Sequence, residues 1–311
     1  MIEINDVMKT VFPGEVLSEI SGAIPEECRK NMIIIGSLAV GYHFLAGKEG
    51  MAVRTKDADC LLSPRIRAVP AGEAIAEKLF TSGWTIKKDG EWNKPGDENT
   101  LPSQLPAIRL NPPGNTDWFI ELLTVPESSE VREKKWLPFK TSQGYFGLPS
   151  FGFLSLTNFE PMETEMGIHV ARPEMMALAN MLEHPRIKPD LMSGYIEGRR
   201  IKRSNKDLGR VLAIAFLSTG EDVDSLEKWP DLFRKAMESC FPAEWQSLVK
   251  NTGSGLRELL TSDLDMDEAH HTCRYGLLAS QPPTLEQLKI AGKRLLQDAV
   301  EPLEKMGSNE T

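Results

Sequence analysis

The sequence predicts an α+β protein, with a mixed β-sheet domain and flanking helices over residues 1–170, followed by an all-helical domain over residues 171–311. In the first half, short apolar runs alternate with helical patterns, and from Pro173 onward the pattern is helical throughout. The length of 311 residues suits about two domains, and the hydrophobic content of 41% is typical of globular proteins.

The elements of the first half follow from local patterns. A strand is predicted at Met32–Ile35, a helix at 37–45, a strand at 58–62 and a helix at 71–80. The apolar runs 107–110 and 118–123 flank residues 111–115, where two prolines and a glycine predict the turn of a hairpin. The stretches 89–104 and 126–149 are rich in proline, glycine and charge, which predicts surface insertions in the sheet domain.

The second half carries helix signals. Pro173 suits the first turn of a helix, and Met176 and Leu182 continue its apolar face. Ser204 and Asp207 have the spacing of a capping box, which predicts that Ser204 starts the next helix. Apolar periodicity predicts further helices at 226–241, 243–248, 256–260, 267–279 and 284–304.

Charge and composition limit the function. A formal charge of -9 disfavours a broad nucleic-acid-binding surface but leaves room for a small basic patch. Four cysteines without a CxxC pair predict free thiols rather than a zinc ribbon or a disulfide scaffold. The sequence has neither a secretory signal pattern nor an apolar run of the roughly 20 residues that span a bilayer, so we expect a cytoplasmic protein without a membrane partner.

The segment that indicates chemistry begins with three isoleucines followed by Gly36 and Ser37. A glycine after a buried strand allows close approach of a backbone or a phosphate, and the free amides of the next helix favour an anion. An ordinary turn and helix cap would have the same sequence. The segment therefore indicates an anion site only in combination with the carboxylates that follow.

Asp57 and Asp59 alternate with apolar residues at strand spacing, so both side chains should lie on one face of the strand. Two adjacent carboxylates repel each other and favour a hard cation such as Mg²⁺ or Mn²⁺. A solvated polar strand edge is the alternative. Glu121, in the middle of an apolar strand, is the best third carboxylate, with Asp117 as the fallback; the competing interpretation is that Glu121 pairs with Arg109 across the hairpin.

Together these segments resemble the nucleotidyltransferase superfamily that includes DNA polymerase beta, in which an apolar strand, Gly-Ser, a helix, Asp-x-Asp and a later strand carboxylate follow one another. Within it, the sequences GSLA at 36–39 and RTKDAD at 54–59 resemble the AbiEii-type toxin nucleotidyltransferases. Pro173 with Glu174, and Lys206 with Asp207, are similar to motifs in the second domain of that group. The resemblance covers about residues 30–215.

The resemblance implies a role for each matching residue. Asp57, Asp59 and Glu121 would be the catalytic residues and the ligands of Mg²⁺ or Mn²⁺. The residues implied in binding the NTP substrate are Gly36, Ser37, Lys56, Lys206 and Asp207. The implied reaction moves a nucleoside monophosphate from NTP to an acceptor hydroxyl on an RNA end or a protein, and the toxin-like group implies an antitoxin-like partner.

Two other functions stay open. A small-molecule adenylyltransferase of the aminoglycoside type would share the metal motif, and the acidic chain would suit a cationic acceptor. A non-catalytic, partner-binding protein that keeps the fold is the third class, because Asn180 and Arg210 stand where the family often has a lysine and an aspartate.

The segment 186–206 is basic within this acidic chain. A triphosphate tail or a nucleic-acid end would suit it, and a solvated connection between helices is the alternative. Its basic residues are Arg186, Lys188, Arg199, Arg200, Lys202, Arg203 and Lys206.

Overall fold

The computed structural model describes residues 9–88, 94–115, 117–127 and 134–308. It has the predicted α+β character, with a mixed sheet and many helices. The strands are β1 (Lys9–Val11), β2 (Met32–Ile35), β3 (Val53–Thr55), β4 (Asp57–Leu62), β5 (Thr85–Ile86), β6 (Arg109–Asn111), β7 (Phe119–Thr124), β8 (Lys135–Thr141), β9 (Gly144–Ser150), β10 (Met162–Glu163), β11 (His169–Val170), β12 (Met192–Ile196) and β13 (Arg199–Lys202). The α-helices are α1 (Pro13–Ala23), α2 (Glu26–Arg29), α3 (Gly36–Leu45), α4 (Arg65–Thr81), α5 (Leu154–Thr157), α6 (Pro173–Glu183), α7 (Arg203–Glu221), α8 (Trp229–Cys240), α9 (Trp245–Val249), α10 (Ser254–Thr261), α11 (Asp263–Arg274), α12 (Leu285–Arg294) and α13 (Glu301–Ser308).

The chain forms two compact units. The sheet unit comprises Val11–Tyr42 and Thr55–Arg172, and the helical unit comprises the chain from Pro173 onward together with His43–Arg54 and the residues up to Thr10. The units divide at Arg172, and the helical unit also contains two N-terminal segments, whereas the sequence predicts domains at 1–170 and 171–311.

The sheet unit is built on a mixed sheet of seven strands in the order β10-β11-β2-β4-β7-β6-β5. Strand β4 lies between β2, to which it is antiparallel, and β7, to which it is parallel. The predicted hairpin is confirmed, since β6 and β7 pair antiparallel around the 111–115 turn. Helix α4 packs on β4 and β7, and it begins earlier than the predicted 71–80.

The prediction of a surface insertion at 126–149 is wrong for its larger part. Strands β8 and β9 form a regular antiparallel hairpin that packs on α4 and β7. Phe139, Phe146 and Leu148 are buried in it. Their alternation with polar and small residues was hidden by the Pro, Gly and Lys content of the stretch.

The prediction of an all-helical second domain is also wrong, because β12 and β13 form a hairpin within it. The hairpin turns at Glu197 and Gly198, both at positive φ. Strand β13 continues directly into α7, whose N-cap is Lys202 and not the predicted Ser204. The Lys202 amide donates instead to the Glu268 carboxylate at 3.0 Å, so a side chain from α11 satisfies this helix end.

The last predicted helix, at 284–304, is found as a helical run from Leu285 to Ser308. Thr284 begins it with a capping box to Gln287. The run widens to a π-helical stretch at Leu295–Val300, just before Pro302, which has no amide hydrogen for the regular bond one turn back.

Each unit has its own apolar core. The sheet unit buries residues such as Ile34, Leu61 and Leu122, and the helical unit buries residues such as Leu212 and Phe233. Among the helices that the structure describes, none combines the length and apolarity needed to cross a bilayer.

Candidate active site

The candidate site lies where β2 ends in the sheet unit. The chain passes from Ile35 directly into α3 at Gly36, which has a φ of +76°. A Cβ atom on Gly36 would lie 2.9 Å from the Asp59 Oδ2 atom. Glycine is therefore required twice here, for the left-handed backbone and for the approach of a carboxylate. The Asp59 carboxylate consequently lies at the N-terminal end of α3, where the helix dipole favours negative charge.

Asp57 and Asp59 are half-buried and lie on one face of β4, whereas Ala58 and Cys60 are buried on the other. The Asp57 Oδ1 atom accepts a hydrogen bond of 2.8 Å from Thr55 Oγ1. Burial raises the pKa of the Cys60 thiol, and the nearby charges of Asp59 and Glu121 raise that pKa further. This thiol is therefore protonated at neutral pH.

Glu121 on β7 is the register partner of Asp59 on β4, so the two carboxylates stand side by side on neighbouring strands. On its other side, Glu121 is in register with Arg109 on β6. Arg109 Nε donates to Glu121 Oε2 at 2.6 Å. Three adjacent strands thus carry a row of Asp59, Glu121 and Arg109.

Lys87 brings a second cation to the same region of the sheet. Lys87 Nζ lies 4.8 Å from the centroid of the Phe119 ring, and Arg109 Cζ lies 5.8 Å from the same ring. Phe119 is the register partner of Asp57. The sheet therefore presents carboxylates on β4 and β7 and cations at β6 and just after β5.

The donor chemistry at Asp57 and Asp59 fits a hard divalent cation, since Mg²⁺ is commonly bound by one or two carboxylates together with water and substrate phosphates. Among the described residues, no group of three His, Cys, Asp or Glu side chains is arranged to hold a metal ion. Glu121 is held by Arg109 instead. The pair Asp57 and Asp59 fits the ion, and Glu121 would join it only by sharing or leaving Arg109.

The other residues predicted from the sheet unit lie as follows. Ser37 is half-buried in the first turn of α3. The carbonyl of Lys56 accepts a hydrogen bond of 2.9 Å from the Phe119 amide, which connects the start of β4 to β7. Asp117, the fallback for the third carboxylate, is exposed in the turn before β7, so Glu121 is the carboxylate that stands in the sheet.

Lys206 and Asp207 belong to the helical unit, in the first turns of α7. Asp207 is buried, and its Oδ2 accepts a hydrogen bond of 2.9 Å from Arg203 Nε. Its Oδ1 has no hydrogen-bond partner among the described residues and lies 3.7 Å from Arg210 Nη1. The structure therefore gives Asp207 two arginine neighbours, rather than the capping bond that its spacing from Ser204 predicts.

No protein-family model matches the chain, and no curated protein matches it.

Thr55 and Lys87 are neighbours of the site that the sequence analysis did not single out. The signal for Thr55 is its position two residues before Asp57, although a bend at Lys56 separates β3 from β4 in the structure. Lys87 carries no such signal, because its position depends on how β5 pairs with β6.

Proposed function

We propose that this protein is a metal-dependent nucleotidyltransferase that moves a nucleoside monophosphate from NTP to an acceptor hydroxyl on an RNA end or a protein. The observation that carries the proposal is the position of Asp59, beside the Gly36 turn on one side and beside Glu121 on the other. In this proposal, the sheet unit has the nucleotidyltransferase fold and is followed by a largely helical domain, and an antitoxin-like protein is a candidate partner.

The roles of the residues follow from their chemistry. Gly36 and Ser37 would offer the amides at the start of α3 to the β- and γ-phosphates. Asp57 and Asp59 would hold Mg²⁺ or Mn²⁺, which when bound neutralises phosphate charge. Lys56, Lys206 and Asp207 remain proposed nucleotide contacts.

The proposed reaction is a displacement at the α-phosphorus. The acceptor oxygen forms a bond to this phosphorus, the bond from phosphorus to the bridging oxygen breaks, and pyrophosphate leaves with that electron pair. The proton of the acceptor hydroxyl is released to water. Glu121, next to Asp59, would help to hold a metal ion beside the acceptor hydroxyl if it shares or releases its hydrogen bond with Arg109.

A specific observation favours a second candidate, a non-catalytic protein that binds a partner through the same fold. Two carboxylates that the proposed enzyme would use are held by arginines, since Glu121 pairs with Arg109 and Asp207 pairs with Arg203. Arg210, where the family often has an aspartate, is the further basic neighbour of Asp207.

The experiment that separates the two candidates is calorimetric titration of each of the four NTPs, with Mg²⁺, into the wild type. We expect saturable binding of at least one NTP, abolished by EDTA and by the double substitution Asp57→Asn, Asp59→Asn. The control is Asp231→Asn, which removes an exposed aspartate in the first turn of α8. Absence of binding by folded wild type, or equal binding by the double variant, would contradict the proposal.

A further inference from the structure

The β12–β13 hairpin presents aromatic, apolar and basic side chains to solvent. Tyr195 and Leu191 are each 50% exposed, and Met192 is 37% exposed. Large apolar side chains exposed together are commonly part of a binding surface.

Arg200 stands opposite Tyr195 across the hairpin, as its register partner. The Arg200 guanidinium carbon lies 6.0 Å from the centroid of the Tyr195 ring, within the range of a cation–π contact. Arg200 is itself exposed, as are Lys188 and Arg186 in the segment that leads into the hairpin. A flat ring with one cation, Arg200, beside it is thus displayed on the surface.

The opposite side of the hairpin is anchored in the helical unit. Ser193, Ile196 and Ile201 are buried there. His271 Nε2 lies 2.8 Å from the Ile196 carbonyl, and the Glu197 carboxylate at the turn pairs with Arg54 at 3.2 Å. The exposed side is therefore carried on a backbone that is held in place, which lowers the entropic cost of binding.

The basic residues of the segment 186–206 differ in their surroundings. Arg199, Lys202 and Arg203 are engaged in ion pairs with aspartates of the helical unit. Arg200 lies beside Tyr195, and Arg186 and Lys188 are exposed in the segment that precedes the hairpin, in a chain whose formal charge is -9. A local basic patch on an acidic protein selects anionic partners at this place.

We infer that this face, defined by Arg186, Lys188, Leu191, Met192, Tyr195 and Arg200, binds single-stranded nucleic acid. Tyr195 offers a ring on which a base stacks, and Arg200 beside it, together with the exposed Arg186 and Lys188 that precede the hairpin, suits the phosphates of the backbone. Unpaired bases are required, because a base within a duplex has no free face for the ring. The inference is independent of the proposed nucleotidyl transfer, since neither metal nor NTP takes part.

Fluorescence anisotropy with labelled 12-nucleotide single strands, in EDTA and without NTP, tests the inference. RNA and DNA strands of one sequence are titrated in parallel, because both share the bases and phosphates that the face would recognise. We expect saturable binding of at least one of them, with the corresponding duplex bound more weakly.

Three variants separate stacking from charge. Tyr195→Ala should weaken binding about fivefold or more, and Tyr195→Phe should retain it, because stacking on one ring is worth roughly 1–3 kcal/mol per base. The slope of log K against log salt is negative, and Lys188→Gln should make it shallower by about 0.7, the amount for one phosphate contact on a single strand. Tyr195→Ala should leave that slope unchanged.

The matched controls are Lys235→Gln and Lys293→Gln, which remove exposed lysines from α8 and α12 in the same unit. Both should bind like the wild type. The inference is overturned if no strand binds, if Tyr195→Ala binds as tightly as the wild type, or if polyglutamate competes as well as the unlabelled strand, since that result would indicate a general anion-binding face.

Discussion

At the scale of single residues, Gly36 decides whether the candidate site can form. Its backbone has a φ of +76°, and a Cβ added to it would lie 2.9 Å from the Asp59 Oδ2 atom, so a side chain here is both strained and crowded. Gly47 offers a matched comparison, because it has a φ of +77° but nothing within 4 Å of its added Cβ.

We predict that Gly47→Ala destabilises the protein by about 1 kcal/mol, the cost of a left-handed alanine. Gly36→Ala should cost more, because it adds the clash with Asp59, and it should also weaken Mg²⁺-dependent NTP binding. Urea denaturation and calorimetric titration of both variants provide the measurement. Equal behaviour of the two variants would show that the contact with Asp59 has no consequence.

The pairing of Arg109 with Glu121 leads to a second prediction at this scale. Arg109→Met leaves the Glu121 carboxylate, 15% exposed, beside Asp59 without its cation. We expect a loss of about 1 kcal/mol, since Arg109 itself is 39% exposed and solvent screens the pair. If the row of carboxylates is a metal site, Mg²⁺ should raise the melting temperature of this variant more than that of the wild type.

The control for the Arg109 experiment is the double variant Arg109→Met, Glu121→Gln, which has lost the extra negative charge. Mg²⁺ should stabilise the double variant no more than the wild type. Equal stabilisation of single and double variants would exclude Glu121 as a ligand.

At the scale of elements, the start of α7 depends on α11. Lys202 Nζ and Asn205 Nδ2 donate to Asp265 Oδ1 at 2.8 and 2.7 Å, and Asn205 Nδ2 also lies 2.8 Å from Glu268 Oε2. Burial raises the pKa of Asp265, but hydrogen bonds from Lys202, Ser262 and Asn205 together outweigh burial. The net result is a pKa of about 2, below the ordinary value of 3.8. Together with the bond from the Lys202 amide to Glu268, these bonds hold the start of α7 against α11.

A depressed carboxyl pKa makes stability depend on pH in a definite direction. The unfolded chain takes up a proton near pH 3.8 and the folded chain near 2, so the contribution of Asp265 is complete above the higher value and is lost as pH falls between them. We predict that Asp265→Asn costs about 1–2 kcal/mol at pH 7 and progressively less below pH 4. Urea denaturation of wild type and variant across this range checks it, and a difference independent of pH would contradict it.

At the scale of the whole molecule, the helical unit is discontinuous in sequence. It includes His43–Arg54, whose backbone is bound by residues after helix α11. The Ser280 hydroxyl donates to the Ala52 carbonyl at 2.7 Å and accepts from the Ala52 amide at 2.9 Å. The Arg54 amide donates to the Gly276 carbonyl at 3.0 Å.

We predict that Ser280→Ala destabilises the protein by about 1–3 kcal/mol, because both backbone groups of the buried Ala52 lose their partner. Ser254→Ala, which removes only a local bond to the Asn251 carbonyl, should have little effect. Thermal denaturation of both variants provides the comparison. A variant at Ser280 as stable as the wild type would show that the 43–54 segment contributes little to this unit.

Local patterns alone were sufficient for much of this architecture. The apolar run before Gly36, the alternation through Asp57 and Asp59, the prolines of the 111–115 turn and Pro173 each predicted an element that the structure contains. The reason is that backbone preference and hydrophobic period are properties of neighbouring residues.

Only the tertiary structure decided which strands pair and therefore which side chains meet. The sequence indicated Glu121 as a third carboxylate and Arg109 as its possible partner, but the register of β6, β7 and β4 determines that Glu121 lies between Arg109 and Asp59. The same is true of Lys202, whose amide is capped by a residue 66 positions away. Such contacts depend on non-local pairing, in which a shift of one residue reverses every side chain, and no local pattern records it.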